Sequence, residues 1–478
     1  VRAQQQCAAI SVRHNQLSSG MLLAFIKSIL PRFSRIAQQQ EAPMTITATA
    51  PVVGIERTKI NSIVFASALG TIIEWYDFLI YATAATLVFN KAFFPTFDPL
   101  AGTLAALGSY AVGFLARPLG GALFGHFGDR LGRKSMLVLT LFIMGLSTFC
   151  IGLLPTYASI GVFAPILLIV LRLIQGIGLG GEWGGASLMV LEHAPVDKRG
   201  FYTSFVQIGF PIGLVLATLM FTLVSKLPEA DFAAYGWRIP FLVSIVLLGV
   251  GTFVRSRIPE TPVFEGLKKR DALSNNPVGE VVGKNGKMFL IAVGLKLSEV
   301  SWVYMLTVFV IGYATGKLGL PKPMMLDAVL YAALLELISL PFFGWLSDRI
   351  GRRPLYILGA LFTIVFAFPL FWMVESKSTA LIFTAIMIAM NFGHGMMFGP
   401  ESCYFPELFG SRVRYSGASF GFQVSAAIGG GFAPIIATAM VGYLGGTTGV
   451  SIMMIVLALI TLAAALAAHE TKGVPLKD

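Results

Sequence analysis

Residues 125–134 read Gly125-His-Phe-Gly-Asp129-Arg-Leu-Gly132-Arg133-Lys134, and residues 344–353 read Gly344-Trp-Leu-Ser-Asp348-Arg-Ile-Gly351-Arg352-Arg353. Both fit Gly-x-x-x-Asp-Arg-x-Gly-Arg-basic, so the pattern returns once, after an interval of nearly half the chain. A looser echo links Leu191–Phe205 with Pro406–Phe420, where Arg199 and Arg414 are separated by almost the same interval as Asp129 and Asp348. Two similar offsets over such a length point to a duplicated chain.

The surroundings of the repeat say what was duplicated. Of the 478 residues, 56% are hydrophobic and 12% charged, about half the charge of an ordinary soluble domain. The apolar residues fall in long runs, and a bilayer-spanning helix needs roughly 20 of them. Only helices or closed barrels satisfy their backbone in lipid, and the runs lack the alternation of barrel strands. About twelve runs are legible, the first at 61–88 and the last at 448–469. The expected fold is an all-α membrane protein with twelve transmembrane helices in two pseudo-symmetric six-helix bundles. Its divisions are an N-terminal extension (1–55), a first bundle (56–256), a linker (257–286), a second bundle (287–470) and a tail (471–478).

The formal charge of +11 is a topology signal. Basic residues gather after even-numbered runs, as with Arg130, Arg133 and Lys134, Lys268, Lys269 and Arg270, or Arg349, Arg352 and Arg353. The loops between odd and even runs are sparser. This positive-inside asymmetry places both termini and the linker in the cytoplasm, and a nucleic-acid partner is not expected. Cys7, Cys150 and Cys403 lack metal-ligand or redox spacing. No nucleophile–base pair, metal cluster or nucleotide loop is legible, so neither an enzyme nor a cofactor is expected. The glycines at 176, 178, 180, 181, 184 and 185 lack the flanks of a phosphate loop and read as close helix packing. Residues 1–43 are rich in Gln, Ser and Arg. Met44 is the expected start of translation, with an organellar targeting segment as the alternative.

Ionisable residues inside spans are costly and mark function. In the first span Glu74 and Asp77 share a face at i, i+3. In the fourth, Arg172, Gln175 and Glu182 share another. Asp77 with Arg172 is the expected pair, since a carboxylate that alternates between an arginine and a proton couples proton movement to conformation. A static ion pair is the alternative, and Glu74 is a second carboxylate for the proton. Arg117 either attracts an anion into a cavity or snorkels to the interface. Lys296 and Glu299 either neutralise each other or leave Lys296 for a substrate carboxylate. Tyr304 and Trp302 are candidate ring contacts, Glu336 and His394 are single polar residues in their spans, and Gln175, Glu182, Glu336 and His394 are further candidates for substrate contact. Gly132 and Gly351 allow the tight turn. Asp129 and Asp348 sit where they meet basic residues or a neighbouring helix N-terminus.

The doubled loop resembles the signature of the major facilitator superfamily. Glu74-Trp75-Tyr76-Asp77-Phe78, Ala116-Arg117-Pro118-Leu119-Gly120-Gly121, Arg172 through Gln175-Gly176 and Gly180-Gly181-Glu182, and Pro259-Glu260-Thr261-Pro262 narrow the likeness to the metabolite:proton symporters. That branch includes shikimate, α-ketoglutarate, citrate and proline/betaine carriers. The resemblance covers 55–470. It implies that Gly125, Asp129, Gly132 and Arg133, with Gly344, Asp348, Gly351 and Arg352, form gating loops. A plain topology anchor is the alternative for them. It also implies a monomeric carrier in a bacterial inner membrane, driven by H+ and taking up a small metabolite, an organic acid above all. A facilitator, an exporting antiporter, an osmoprotectant importer and a non-transporting sensor are the other readings. The partial match Gly209-Phe-Pro211-Ile-Gly213 weakens the antiporter, and a chain that ends at Asp478 without a long coiled coil weakens the betaine carrier. The first half is expected to handle the proton, and the second to help choose the solute.

Overall fold

The computed structural model describes residues 57–96 and 99–476. The stretch containing Met44 lies outside the described residues. Among the described residues the structure consists of helices and their connections, without a strand.

Twelve long helices follow the apolar runs. They are α1 Arg57–Ala84, α2 Pro99–Leu131, α3 Arg133–Leu153, α4 Phe163–His193, α5 Val196–Val224 and α6 Gly236–Ser256 in the first half. The second half holds α7 Gly286–Gly316, α8 Lys322–Ile350, α9 Arg352–Glu375, α10 Thr379–Glu407, α11 Arg414–Leu444 and α12 Thr448–Ala467. Eleven of them, all but α2, are by length and composition apolar enough to cross a membrane. α2 runs for 33 residues and carries the first loop motif at its end. Between the halves run two short helices, Pro262–Lys269 and Pro277–Gly283.

The motif glycines do what the repeat requires. Gly132 (φ 121°) separates α2 from α3, and Gly351 (φ 108°) separates α8 from α9. A side chain is strained at such positive φ, so the turn that reverses the chain needs glycine there. Close packing accounts for the glycine-rich face of α4. A Cβ on Gly180 would sit 2.7 Å from the backbone nitrogen of Gly121 in α2. α4 therefore approaches α2 backbone to backbone, as small residues permit in membrane helices.

The halves meet along α2 with α11, and α8 with α5. Four helical stretches widen to π geometry: Ala85–Phe89 after α1, Met305–Phe309 in α7, Ala389–Gly395 in α10 and Ala426–Phe432 in α11. Such bulges gather at functional sites, and the last two contribute His394 and Ala426 to the pocket described next.

Candidate functional site

At the end of the bundle that carries the loop motifs, each half caps a helix of the other. Asp129 accepts from the backbone N–H groups of Tyr415 (3.2 Å) and Ser416 (2.9 Å), at the start of α11. Asp348 accepts from Gly200 (2.9 Å) and Phe201 (2.8 Å), in the first turns of α5. A carboxylate suits a helix N-terminus because the first N–H groups are unpaired and the helix dipole is positive there. The motif arginines lock these caps. Arg133 pairs with Asp129 (3.8 Å) and with Glu192, which also takes Arg414 (3.0 Å). Arg352 pairs with Asp348 (3.0 Å) and with Glu407 (3.4 Å), which Arg199 approaches at 3.8 Å. Glu260 accepts from the N–H of Lys134 (3.1 Å) at the start of α3, and Glu470 from those of Arg352 and Arg353 (3.0 Å each) at the start of α9.

The sequence reading gives a helix N-terminus as one partner for the motif aspartates, but assigns no partner role to Glu192, Glu407, Glu260 or Glu470. A signal exists for two of them. Glu407 follows Glu192 by the same interval that separates Arg414 from Arg199 in the looser echo. Because Asp129 ties α2 to α11, Asp129→Asn is expected to lower transport about tenfold at normal expression. Removing the charge weakens two charge-assisted bonds and the pairing with Arg133. Uptake normalised to the amount of protein in the membrane checks this; undiminished uptake would leave the loop as a topology anchor only.

Toward the middle of the bundle lies a small pocket. Arg117 of α2, Lys296, Glu299 and Tyr304 of α7, and His394 of α10 line it together with aromatic side chains that include Trp75, Phe210 and Phe422. Arg117 does not extend to the interface. Its guanidinium lies over the rings of Phe78 (4.2 Å) and Phe114 (4.3 Å). Its Nε and Nη2 are buried without a hydrogen-bond partner among the described residues. Aromatic faces hold a cation in place while leaving its N–H groups for a ligand.

The expected salt bridge between Asp77 and Arg172 does not form. Arg172 donates to Gln175 (2.5 Å) and rests on the rings of Tyr81 (4.1 Å) and Phe78 (4.7 Å). Asp77 turns toward α6 and accepts from Ser244 (2.6 Å). Rings of α1 and Tyr110 of α2 (5.0 Å) flank the guanidinium in place of the carboxylate, and its Nε and Nη2 have no hydrogen-bond partner among the described residues. Gln175 in turn donates to Thr148 (2.7 Å). Glu182, a candidate for substrate contact, is held instead by Arg255 and by Thr140 (3.0 Å). Arg255, which reads from the sequence as a loop charge, is buried in α6. Glu74 is buried on α1, with one carboxylate oxygen unpartnered among the described residues. Trp302 does not line the cavity; it donates to the backbone carbonyl of Ala389 (2.7 Å) within the core.

In the second half the polar residues that stand alone in their spans are joined. Lys296 Nζ contacts Glu299 (2.7 Å) and Glu401 (2.8 Å), and sits 3.7 Å from the Phe422 ring centre. His394 Nε2 faces Glu299 (2.9 Å), and its Nδ1 faces Glu336 (2.6 Å). Five ionisable groups from α7, α8 and α10 thus form one buried network. Lys296 and Glu299 do pair, as one of the two readings has it, but the pair is only the centre of a larger system. Glu401 is not singled out in the reading of the sequence.

A bundle of twelve long helices among the described residues, with a doubled loop motif and a pocket between its halves, is the architecture of a solute carrier. The Major Facilitator Superfamily model matches residues 67–434 and 300–476, and the chain belongs to that family. It is a multi-pass membrane protein and a transporter of metabolites, not an enzyme. The shikimate transporter of Escherichia coli (strain K12) is 44% identical to it, over 84% of this chain and 93% of that one. The inner membrane metabolite transport protein YhjE of the same strain is 41% identical, over 90% and 99%. Among solved structures, the proton:xylose symporter XylE bound to 6-bromo-6-deoxy-D-glucose superimposes with a TM-score of 0.69 at 19% identity, covering 88% of this chain and 98% of that one.

Proposed function

We propose that this protein takes up a small organic acid together with a proton, by alternating access, across a bacterial inner membrane with both termini in the cytoplasm. The observation that carries the reading is Arg117, a buried guanidinium on the cavity wall with two nitrogens awaiting an acceptor. Its planar fork suits a carboxylate. Lys296 and Tyr304 on the facing wall add a second cation and a hydroxyl, while Trp75 and Phe422 offer apolar faces to a carbon ring. The 44% identity to a shikimate transporter favours a hydroxylated cyclic acid. Arg117 and Lys296 on opposite walls favour an anion over a zwitterion such as betaine. Asp77, Glu74 and the carboxylates of the second half are the proton carriers open to such a cycle, and a single chain suffices for it.

Purified protein in proteoliposomes, offered labelled shikimate, a dicarboxylate, betaine and a neutral sugar, tests this directly. Accumulation of an acid that rises several-fold with an acid-outside pH gradient is the expected result. Uptake of betaine or sugar alone, or uptake indifferent to the gradient, would refute it.

A further inference from the structure

The strongest feature left over by the alternating-access reading is the buried network of α7, α8 and α10. Its geometry requires a proton that the residues do not supply on their own. A neutral imidazole has one N–H and one acceptor nitrogen. In His394 both ring nitrogens lie at hydrogen-bond distance from carboxylate oxygens, Nε2 from Glu299 and Nδ1 from Glu336. Two ionised carboxylates flanking a neutral ring would leave one oxygen facing a lone pair. One proton beyond the ring's own is needed, shared between His394 and Glu336.

The charge count agrees. Among the described residues, Glu299, Glu336 and Glu401 have two cationic groups within ion-pair distance, Lys296 and protonated His394, and all five side chains are at most 2% exposed. With the imidazole charged, one carboxylate is still in excess, and an uncompensated buried charge is expensive. The outer oxygens of Glu336 and Glu401 have no hydrogen-bond partner among the described residues. The other titratable groups facing the network are phenols and the cavity cation. Tyr356 of α9 is close enough to act on Glu401 and Glu299, Tyr304 lies on α7, and Arg117 stands across the cavity. From α5 the Phe210 ring meets His394 at 5.7 Å between centroids, and Phe398 covers its other side at 4.5 Å.

We infer that the Glu336–His394–Glu299 relay, rather than Asp77, holds the proton that is coupled to the substrate, and that Lys296 transmits the coupling. This rests on the proposed uptake of an acid. Lys296 and Glu299 lie on the cavity wall, whereas Glu336 lies behind His394 and does not line it. When a substrate carboxylate engages Lys296, the ammonium shared between Glu299 and Glu401 acquires a third anionic partner. The network then carries one more negative charge, and a proton on Glu336 or His394 restores the balance. Anion and proton each favour the binding of the other, as linkage demands. That sign of coupling is symport. The internal repeat supports the assignment, because Glu336 follows Arg117 by the same interval by which Asp348 follows Asp129. The duplicated position thus holds a fixed cation in one half and a protonatable group in the other.

Two measurements test the inference, one of them independent of substrate. In substrate-free protein reconstituted in lipid, infrared difference spectra between acid and alkaline buffer are expected to show the carbonyl band of a buried carboxylic acid, lost in Glu336→Gln and shifted in His394→Gln. In proteoliposomes, Glu336→Gln is expected to lower accumulation of labelled shikimate driven by a pH gradient about tenfold more than it lowers shikimate counterflow, within the usual range of coupling energies. An unchanged band in both variants, or gradient-driven accumulation that survives in proportion to counterflow, overturns the inference. Should Glu336→Gln fail to fold, His394→Gln provides both readouts. A wild-type protein that moves no acid would refute the proposed function, while the infrared band would still decide whether the relay holds a proton.

Discussion

Arg117→Ala is expected to raise the KM for a transported acid by roughly ten- to a hundredfold, while the protein reaches the membrane in normal amount. This guanidinium keeps binding capacity in reserve. Two of its nitrogens lack a partner among the described residues, and the group rests on the faces of Phe78 and Phe114. A hydrogen bond to a charged group contributes about 1.5–3 kcal/mol, which converts to roughly ten- to a hundredfold in affinity. No ion pair with Arg117 is found among the described residues, although its charge reaches the buried Glu74 of α1, so the amount of protein in the membrane is measured alongside uptake. Arg117→Lys should fall between the two, since an ammonium keeps the charge but not the two-pronged geometry. Initial rates over a range of substrate concentrations separate KM from the maximal rate. An Arg117→Ala protein with wild-type KM for every acid would remove the residue from the binding site.

The second large effect is expected at the crossing points of the halves. A Cβ on Gly125 would stand 2.7 Å from Ser416 Cα, and one on Gly344 would stand 2.6 Å from Ser204 Cβ. Ser416 Cα is backbone, and it cannot rotate out of the way as a flexible side chain does. Gly125→Val therefore obstructs the arrangement in which Asp129 caps α11, while the arrangement with that end open has no such contact. Overpacking costs about 1–3 kcal/mol, enough to shift a two-state balance by roughly ten- to a hundredfold toward the open form. The check uses Ala426→Cys, on the cavity wall, in a background without the native cysteines. An impermeant maleimide added from the motif side should label it much faster in Gly125→Val, and net transport should fall more than about tenfold. Equal labelling with transport intact would show that closure does not need this contact. Gly125→Ala, with a smaller side chain, is expected to act in the same direction and more weakly.

Much of this protein is legible in its residues. The runs of apolar residues and the long offset between Asp129 and Asp348 lead to two six-helix halves, because lipid leaves the backbone few other solutions. The turn glycines are legible for the same kind of reason, since only glycine takes the φ found at Gly132 and Gly351 without strain. The individual candidates for the cavity, Arg117, Lys296, Tyr304 and His394, are legible in their spans. For the ionisable ones the reason is rarity, since such a residue inside a span is expensive enough to need a purpose.

Pairing is not legible. Helical spacing puts Glu74 and Asp77 on one face, yet it does not say that Tyr81 and Phe78 occupy Arg172 and leave Asp77 to Ser244. It also leaves Glu182 free to look like a cavity residue, when Arg255 of α6 holds it. Read one span at a time, Glu336 and His394 are isolated polar residues. Packing α8 against α10 brings them to 2.6 Å, and α7 adds Glu299 and Lys296.

The doubled loop motif shows the boundary between the two kinds of information. Local chemistry demands a turn glycine, a carboxylate at a helix end and a basic tail, and a single chain of letters carries all three. That the carboxylate of Asp129 finds Tyr415 and Ser416, and that of Asp348 finds Gly200 and Phe201, is decided only when the halves pack crosswise. Hydrophobicity and backbone sterics act over a few residues or along one helix, and they survive in the order of the sequence. Electrostatic partnership depends on distance in space, and in these two caps it joins residues that are 147 to 287 positions apart.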